Sequence, residues 1–122
     1  MLGYVTLGTN DIDKASAFYD ALLAPLGAKR LMNTESFILW GTSMNEASLA
    51  ITKPFDGKAQ TVGNGVMAAL QVDSKETAAA LHAKALELGG QDEGAPGPRG
   101  EGFYAGYFRD VDGNKLNAFV MG

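Results

Sequence analysis

The sequence has 122 residues, the size of one domain with an ordinary hydrophobic core. Its net charge of −4 argues against nucleic acid and anionic membrane surfaces as partners. It has no cysteine, which excludes disulfides, thiolate nucleophiles and cysteine-based metal centres. No signal-peptide pattern and no apolar window of membrane-spanning length is found, so we expect a cytoplasmic protein.

The first half predicts a strand, a helix and a hairpin in that order. Alternating residues indicate a strand over 4–9, and apolar residues at helical spacing indicate a helix over 12–22. Two short apolar runs, 37–41 and 47–52, flank a polar loop and predict a hairpin. Residues 58–64 have the composition of a linker.

The second half predicts the same elements again. Residues 66–72 indicate a strand, and an amphipathic stretch after it indicates a helix. The segment 94–102 is rich in glycine and proline, which predicts an irregular loop. Two further strands, 103–109 and 115–121, are separated by a turn with Asp-Gly at its centre, as in a hairpin.

These two halves are repeats of one another at matched spacing. A separation of 63 residues relates their first strands and also their helix ends, and a separation of 67 relates their last strands. The glycine- and proline-rich loop absorbs the difference. We therefore predict module one at 1–57, a linker at 58–64 and module two at 65–122. The equivalent pairs are Tyr4 with Met67, Gly27 with Gly90, Trp40 with Tyr107, and Ala50 with Asn117.

The predicted fold class is α+β, built from two paired β-α-β-β modules, with an additional short strand in the first. A helix that covers one face of a sheet leaves the other face free. Two such sheets placed edge to edge form a curled half-barrel with the helices outside. Their free faces then line a central cup shared by both modules.

Several motifs resemble the vicinal oxygen chelate superfamily, which includes glyoxalase I, bleomycin-resistance proteins, fosfomycin-resistance enzymes and extradiol dioxygenases. They are the Asn-Asp-Ile-Asp-Lys-Ala run at 10–15, Phe18-Tyr19 in the first helix, and Phe-Arg-Asp-Val-Asp-Gly-Asn-Lys-Leu at 108–116. The resemblance covers essentially the whole chain and implies this fold and a homodimer. It does not imply one activity, because the fold hosts binders, isomerases, transferases and oxygenases.

The resemblance also implies where metal ligands would stand. In metal-dependent members, two histidines and two glutamates occupy the positions that read Tyr4, Ala50, Met67 and Asn117 here. Alanine cannot coordinate, a thioether is a poor ligand for hard or borderline ions, and a neutral amide brings no charge. A tyrosine would have to ligate as a phenolate. We therefore expect no metal and no cofactor.

The cup is expected to be aromatic and polar, and so to bind a small, partly apolar or aromatic molecule. Tyrosine hydroxyls and an amide give an aromatic-walled cup fixed polar groups, and Arg99 on its glycine-rich loop suits the anionic end of a ligand. Strand alternation adds Lys115 to the face of Asn117. The alternative is that the aromatic residues only fill the sheet interior and that Arg99 is solvated. The candidate ligand-binding residues are Tyr4, Trp40, Met67, Arg99, Phe103, Tyr107 and Asn117.

Two other functions remain open at this point. A lyase, isomerase or transferase of the same superfamily would need either an atypical metal site or acid/base catalysis by Tyr4 or Tyr107. A partner-binding subunit without catalysis is the third possibility. His82, the only histidine, lies on the second helix, and we expect a surface or boundary residue there without a catalytic role.

Overall fold

The computed structural model describes all 122 residues. Contacts between residues divide the chain into two compact units, Met1–Val62 and Gly63–Gly122, each with one α-helix and one four-stranded mixed sheet. The predicted α+β class with a duplicated module is confirmed. Part of the predicted linker lies within the first unit, where the backbone N–H of Gln60 donates to Oδ1 of Asn10 at 2.7 Å.

The first unit has the element order β-α-β-β-β. Its strands are β1 (Tyr4–Gly8), β2 (Lys29–Asn33), β3 (Phe37–Gly41) and β4 (Ser48–Thr52), and its helix is α1 (Ile12–Leu23). The order across the sheet is β1-β4-β3-β2, with β1 parallel to β4 and the other pairs antiparallel. The extra short strand foreseen in this half is β2.

The second unit repeats this topology. It contains β5 (Ala68–Gln71), α2 (Lys75–Glu87), β6 (Gln91–Pro98), β7 (Phe103–Arg109) and β8 (Lys115–Met121). The sheet order is β5-β8-β7-β6, and β5 runs parallel to β8. Each unit therefore places one strand, β1 or β5, at an edge next to the last strand of its own module.

Both helices begin at side-chain caps that the sequence provides. Oδ1 of Asp11 accepts the backbone N–H of Lys14 at 3.1 Å, and Oγ of Ser74 accepts that of Thr77 at 3.0 Å. Each bond satisfies a helix N–H that has no partner within the helix. Neither helix has the length and apolarity needed to cross a membrane.

The prediction of an irregular loop over 94–102 is wrong for its first half, because β6 continues to Pro98. Gly94 pairs with Tyr107 and Gly97 with Ala105, with register shifts around Gly94. A strand at the edge of a sheet needs hydrogen bonds on one side only, so it tolerates prolines and bulges that a central strand would not. Composition alone therefore misjudged this segment.

His82 is buried, contrary to the expectation of a surface or boundary position. It is 6% exposed, its Nε2 lies 2.9 Å from Oδ1 of Asp92, and its ring packs edge-on against Phe108. The pKa of Asp92 is held below its ordinary value, first by the N–H of Gly94 and then by His82. The histidine joins α2 to β6 and β7, which is a structural role.

A charged anchor at the edge of the first unit's core joins Asp20 of α1 to Arg30 and the buried Trp40. The Asp20 carboxylate accepts hydrogen bonds from Nη2 of Arg30 at 2.7 Å and from Nε1 of Trp40 at 2.8 Å. Trp40 is 1% exposed and its ring lies 5.6 Å from that of Tyr19. The anchor therefore fixes α1 to β2 and β3 at once.

We predict that Asp20→Asn destabilises the protein. The hydrogen bond from Arg30 lowers the pKa of Asp20 below its ordinary 3.8, partial burial opposes this, and the bond from Trp40 lowers it further. A lowered carboxyl pKa stabilises the fold above pH 3.8, and that contribution is lost as pH falls through the lower folded-state pKa. With the side chain 46% exposed, we expect a loss of about 1 kcal/mol at pH 7.

The measurement is urea unfolding followed by the fluorescence of Trp40, the only tryptophan. Glu46→Gln is the control, because Glu46 is exposed and its carboxylate takes part in no ion pair. The difference between wild type and Asp20→Asn should shrink below pH 3.8. Equal stability of all three proteins at pH 7 would contradict the anchor.

Candidate functional site

Each sheet packs one face against its helix, and we call the opposite face the distal face. In the second unit, His82 of α2 contacts Phe108, and a Cβ at Gly106 would lie 3.2 Å from the His82 ring. Because side chains alternate along a strand, Tyr107 points to the distal face. Asn117, directly opposite Tyr107 in the β7–β8 pairing, shares that face.

Five of the seven candidate residues belong to the second unit, and four of them, all except Met67, lie on its distal face. The rings of Phe103 and Phe119 stack with centroids 5.4 Å apart. The pair Tyr107 and Asn117 lies in the next row of side chains along the sheet. These five candidates are Met67, which stands two residues before the distal residue Ala69, together with Arg99, Phe103, Tyr107 and Asn117.

Arg99 is folded back onto the sheet. Its Nη2 donates to the backbone carbonyl of Ala95 at 2.6 Å, and its guanidinium carbon lies 5.5 Å from the centroid of the Tyr107 ring. Space for it comes from two glycines, since a Cβ at Gly94 or at Gly97 would stand 3.2 Å from a guanidinium nitrogen. The side chain is therefore held in place on the distal face.

Lys115 is a functional candidate that sequence reasoning placed on this face but did not select. Its Nζ lies 5.4 Å from the centroid of the Tyr107 ring, so two cations adjoin one aromatic side chain. Cations favour the negative face of an aromatic ring. The signal that could have identified it is alternation along β8, which puts Lys115 two residues from Asn117.

Asn117 is the most unusual polar residue of the unit. It is 1% exposed, and its Oδ1 has no hydrogen-bond partner. A buried carbonyl oxygen without a partner costs about 1–3 kcal/mol, so native structures rarely keep one without a reason. Its position opposite Tyr107 directs this unmet acceptor to the face where the other candidates lie.

The two candidates of the first unit lie on opposite faces of its sheet. Tyr4 is on the distal face, 56% exposed, with its ring 5.9 Å from that of Phe37. Trp40 is buried under α1 against Tyr19, so the expectation that it encloses a ligand in the cup is not met.

The misplacement of Trp40 has a simple cause in the hairpins. Ala50 pairs with Leu39, eleven positions earlier, whereas Asn117 pairs with Tyr107, ten positions earlier. The first hairpin thus contains one more residue, and Leu39 is the true equivalent of Tyr107. A shift of one residue exchanges the faces of every side chain in a strand.

The positions at which the resemblance implies metal ligands do not fit a metal. Ala50 is fully buried without a donor atom, Met67 is partly exposed, and Asn117 offers a neutral amide. No group of three or more histidine, cysteine, aspartate or glutamate side chains is arranged to hold an ion. A catalytic divalent ion normally needs three such ligands and one open position.

Two concavities of the surface lie away from most candidates. One, of about 230 Å³, lies between α1 and β2 and includes Asp20 and Arg30, whose charges already neutralise each other. A smaller one of about 70 Å³ includes Phe103, Tyr104 and Lys75. Among the candidates only Phe103 lines either concavity.

Comparison with known proteins places this architecture in a family. The model of the Glyoxalase/Bleomycin resistance protein/Dioxygenase superfamily matches residues 1–118. A crystal structure of a glyoxalase/bleomycin resistance protein from Albidiferax ferrireducens T118 is 34% identical, with a TM-score of 0.91 over 100% of this chain and 99% of that one. The chain therefore belongs to the Glyoxalase/Bleomycin resistance protein/Dioxygenase superfamily.

More distant structures share the fold alone. Lactoylglutathione lyase from Agrobacterium tumefaciens is 18% identical, with a TM-score of 0.73 over 98% of this chain and 92% of that one. TnmS3, an antibiotic binding protein from Streptomyces sp. CB03234, is also 18% identical, with a TM-score of 0.70 over 100% and 96%. No curated protein matches the chain significantly.

We predict that Asn117→Leu leaves the fold as stable as wild type or stabilises it by up to about 3 kcal/mol, because it removes an unmet acceptor and has a similar branched shape. Asn114→Leu is the matched control. Asn114 is also buried, but its Nδ2 donates to Oδ2 of Asp110 at 3.0 Å, so this change should destabilise. Chemical unfolding measures both, and equal destabilisation by the two changes would show that Asn117 has a structural partner.

Proposed function

We propose that this protein binds a small, partly apolar or aromatic molecule on the distal face of the second sheet, without a metal. The observation that carries the proposal is the buried, unpaired Oδ1 of Asn117 beside Tyr107. A ligand with a hydrogen-bond donor would satisfy this oxygen, after local movement of the side chains around it. Ligand sites commonly combine apolar walls with a few fixed polar groups of this kind.

The remaining candidates suit the body of such a ligand. Phe103 and Phe119 form a stacked aromatic pair, and the small Ala105 separates Phe103 from Tyr107 along β7. Flat molecules pack well on aromatic side chains at centroid distances of about 4.5–7 Å. The face thus offers an aromatic platform at one end and polar groups at the other.

Relatives of the same fold support binding without deciding its purpose. TnmS3 is an antibiotic binding protein, and lactoylglutathione lyase is an enzyme. The four positions where metal-dependent members mount ligands lack a suitable donor set here. This difference favours the binder over a metal-dependent lyase. The role of Tyr4 in ligand binding and the cytoplasmic location of the protein remain predictions.

Acid/base catalysis by a tyrosine gains no specific support. The two cations near Tyr107 are placed beside its aromatic ring. A general acid or base needs a partner within hydrogen-bonding reach, directly or through one water. Ligand binding therefore accounts for the side chains around Tyr107 without requiring a catalytic partner for its hydroxyl.

We predict that aromatic fragments bind in ligand-observed NMR to protein purified without added metal, and that an excess of EDTA does not change this. Tyr107→Ala should weaken the hits about tenfold, in keeping with loss of one aromatic contact surface. Tyr104→Ala is the control, since Tyr104 lies on the same strand, β7, but its side chain faces α2. Hits that EDTA abolishes and Zn²⁺ or Ni²⁺ restores would refute metal-independence, and hits unaffected by Tyr107→Ala would refute the location.

We further propose a homodimer. Edge strands carry unpaired backbone groups that favour pairing with another chain. Apolar side chains are unusually exposed at the edge strand β1 and just before the edge strand β5, as shown by Val5 at 38% and Val66 at 59%. Such side chains are typical of surfaces that another copy covers.

Sedimentation velocity should therefore give about twice the chain mass of 12.8 kDa. The double change Val5→Lys and Val66→Lys should shift the protein toward monomer, because a buried interface does not accept unpaired charges. Met32→Lys is the control, as Met32 is exposed on β2 at the other edge of the first sheet. A monomeric wild type at micromolar concentration would refute the dimer.

A further inference from the structure

We propose that the distal face of the second sheet selects ligands that carry a negative charge, with an aromatic carboxylate as the simplest class. Arg99 and Lys115 would bind the anionic group, and the ring of Tyr107 holds both cations beside it. This inference rests on the proposed function and specifies its ligand.

The first support is that the charges on this face do not balance. Arg109 also points to the distal face, but its Nη2 forms an ion pair with Oε1 of Glu93 at 3.0 Å. Arg99 and Lys115 form no ion pair, although the protein as a whole has a net charge of −4. An acidic protein that leaves two neighbouring cations without counter-charges on its ligand face is suited to an anionic ligand.

The second support is the closeness of these two cations. Both lie within 5.5 Å of one ring centroid, so their charged centres are no more than about 11 Å apart. That upper limit exceeds the Debye length of about 8 Å in physiological salt, so the repulsion between the two cations is weak and both can stay charged beside one ring. An anionic group beside the Tyr107 ring would gain charge-assisted interactions from these cations.

Backbone choices keep the arginine in this position. Gly97 has ordinary backbone geometry, yet a methyl group there would stand 3.2 Å from Nη1 of Arg99. Gly94 has a φ of 155°, which by itself favours glycine, and a Cβ there would stand 3.2 Å from Nη2 of Arg99 and would also contact Tyr107. The absence of a side chain at both positions leaves room for the guanidinium of Arg99.

The spacing of the side chains fits an aromatic acid. Along β8, Phe119, Asn117 and Lys115 are successive distal residues, each separated by about 7 Å from the next. An aromatic body on Phe103 and Phe119 would thus reach the row of Tyr107 and Asn117 with its acidic group. There the side chains of Arg99 and Lys115 both adjoin the Tyr107 ring. The unpaired Oδ1 of Asn117 would accept a hydrogen bond from a donor substituent on the ligand's ring.

Matched acids and amides test this inference. The probes are benzoate, phenylacetate, 2-naphthoate and indole-3-acetate, each beside its neutral carboxamide, titrated by ¹⁵N–¹H NMR. We expect at least one acid to bind tenfold or more tightly than its amide, and more weakly as NaCl rises from 20 to 300 mM. Arg99→Gln and Lys115→Gln should each reduce acid binding at least fivefold and reduce amide binding much less.

Lys75→Gln is the matched control, because Lys75 adjoins the ring of Tyr104 at 5.7 Å in the same way but on the side of α2. It should leave acid binding unchanged. Gly97→Ala displaces the guanidinium of Arg99 and leaves its charge unchanged. It should weaken acid binding, and this result would separate the effect of the position of Arg99 from the effect of its charge.

The outcomes distinguish the two proposals. Equal binding of acids and amides, insensitive to Arg99→Gln and Lys115→Gln, would overturn the anionic selectivity and leave the proposed binding function standing. Failure of every acid and every amide to bind would overturn both. Loss of acid binding in Lys75→Gln to the same extent as in Arg99→Gln would also overturn the inference, since net charge would then explain the effect.

Discussion

The alternation of side chains across each sheet is the constraint on which everything else depends. A helix covers one face, so the large apolar residues Trp40 and Phe108 lie under α1 and α2 respectively. The other face does not pack against a helix, so it can hold charged and unpaired polar groups that a hydrophobic core would not accept. Arg99 and the unpaired amide of Asn117 are on such a face, and the duplicated topology provides one in each unit.

Local signals in the sequence were sufficient for most of the fold. The helix caps, the Asp-Gly turn and the period-two strands each depend on a few neighbouring residues, and the structure contains them all. The same alternation correctly grouped Phe103, Tyr107 and Asn117, because β7 and β8 are joined by a short turn that fixes their pairing. Short-range physics therefore predicted which of these side chains share one face of the second sheet.

Errors arose where one residue or one distant partner decided the outcome. A hairpin longer by a single residue moved Trp40 to the core, and counting from the repeat could not reveal it. β6 is a strand despite its glycines and prolines because β7 offers it backbone partners. His82 is buried because Asp92, ten positions away, meets its ring nitrogen. Such features depend on tertiary pairing, which composition does not encode.

The glycine at position 97 has a consequence for how proteins of this kind diversify. A Cβ at this position would stand 3.2 Å from Nη1 of Arg99, so the absence of a side chain leaves room for the guanidinium. Under the proposed binding function, two relatives with identical contact residues would prefer different molecules if one of them carried a methyl group at this point in the backbone. Comparison of contact residues alone would miss that difference, so inheritance of ligand preference should be traced through the strand that supports the arginine as well.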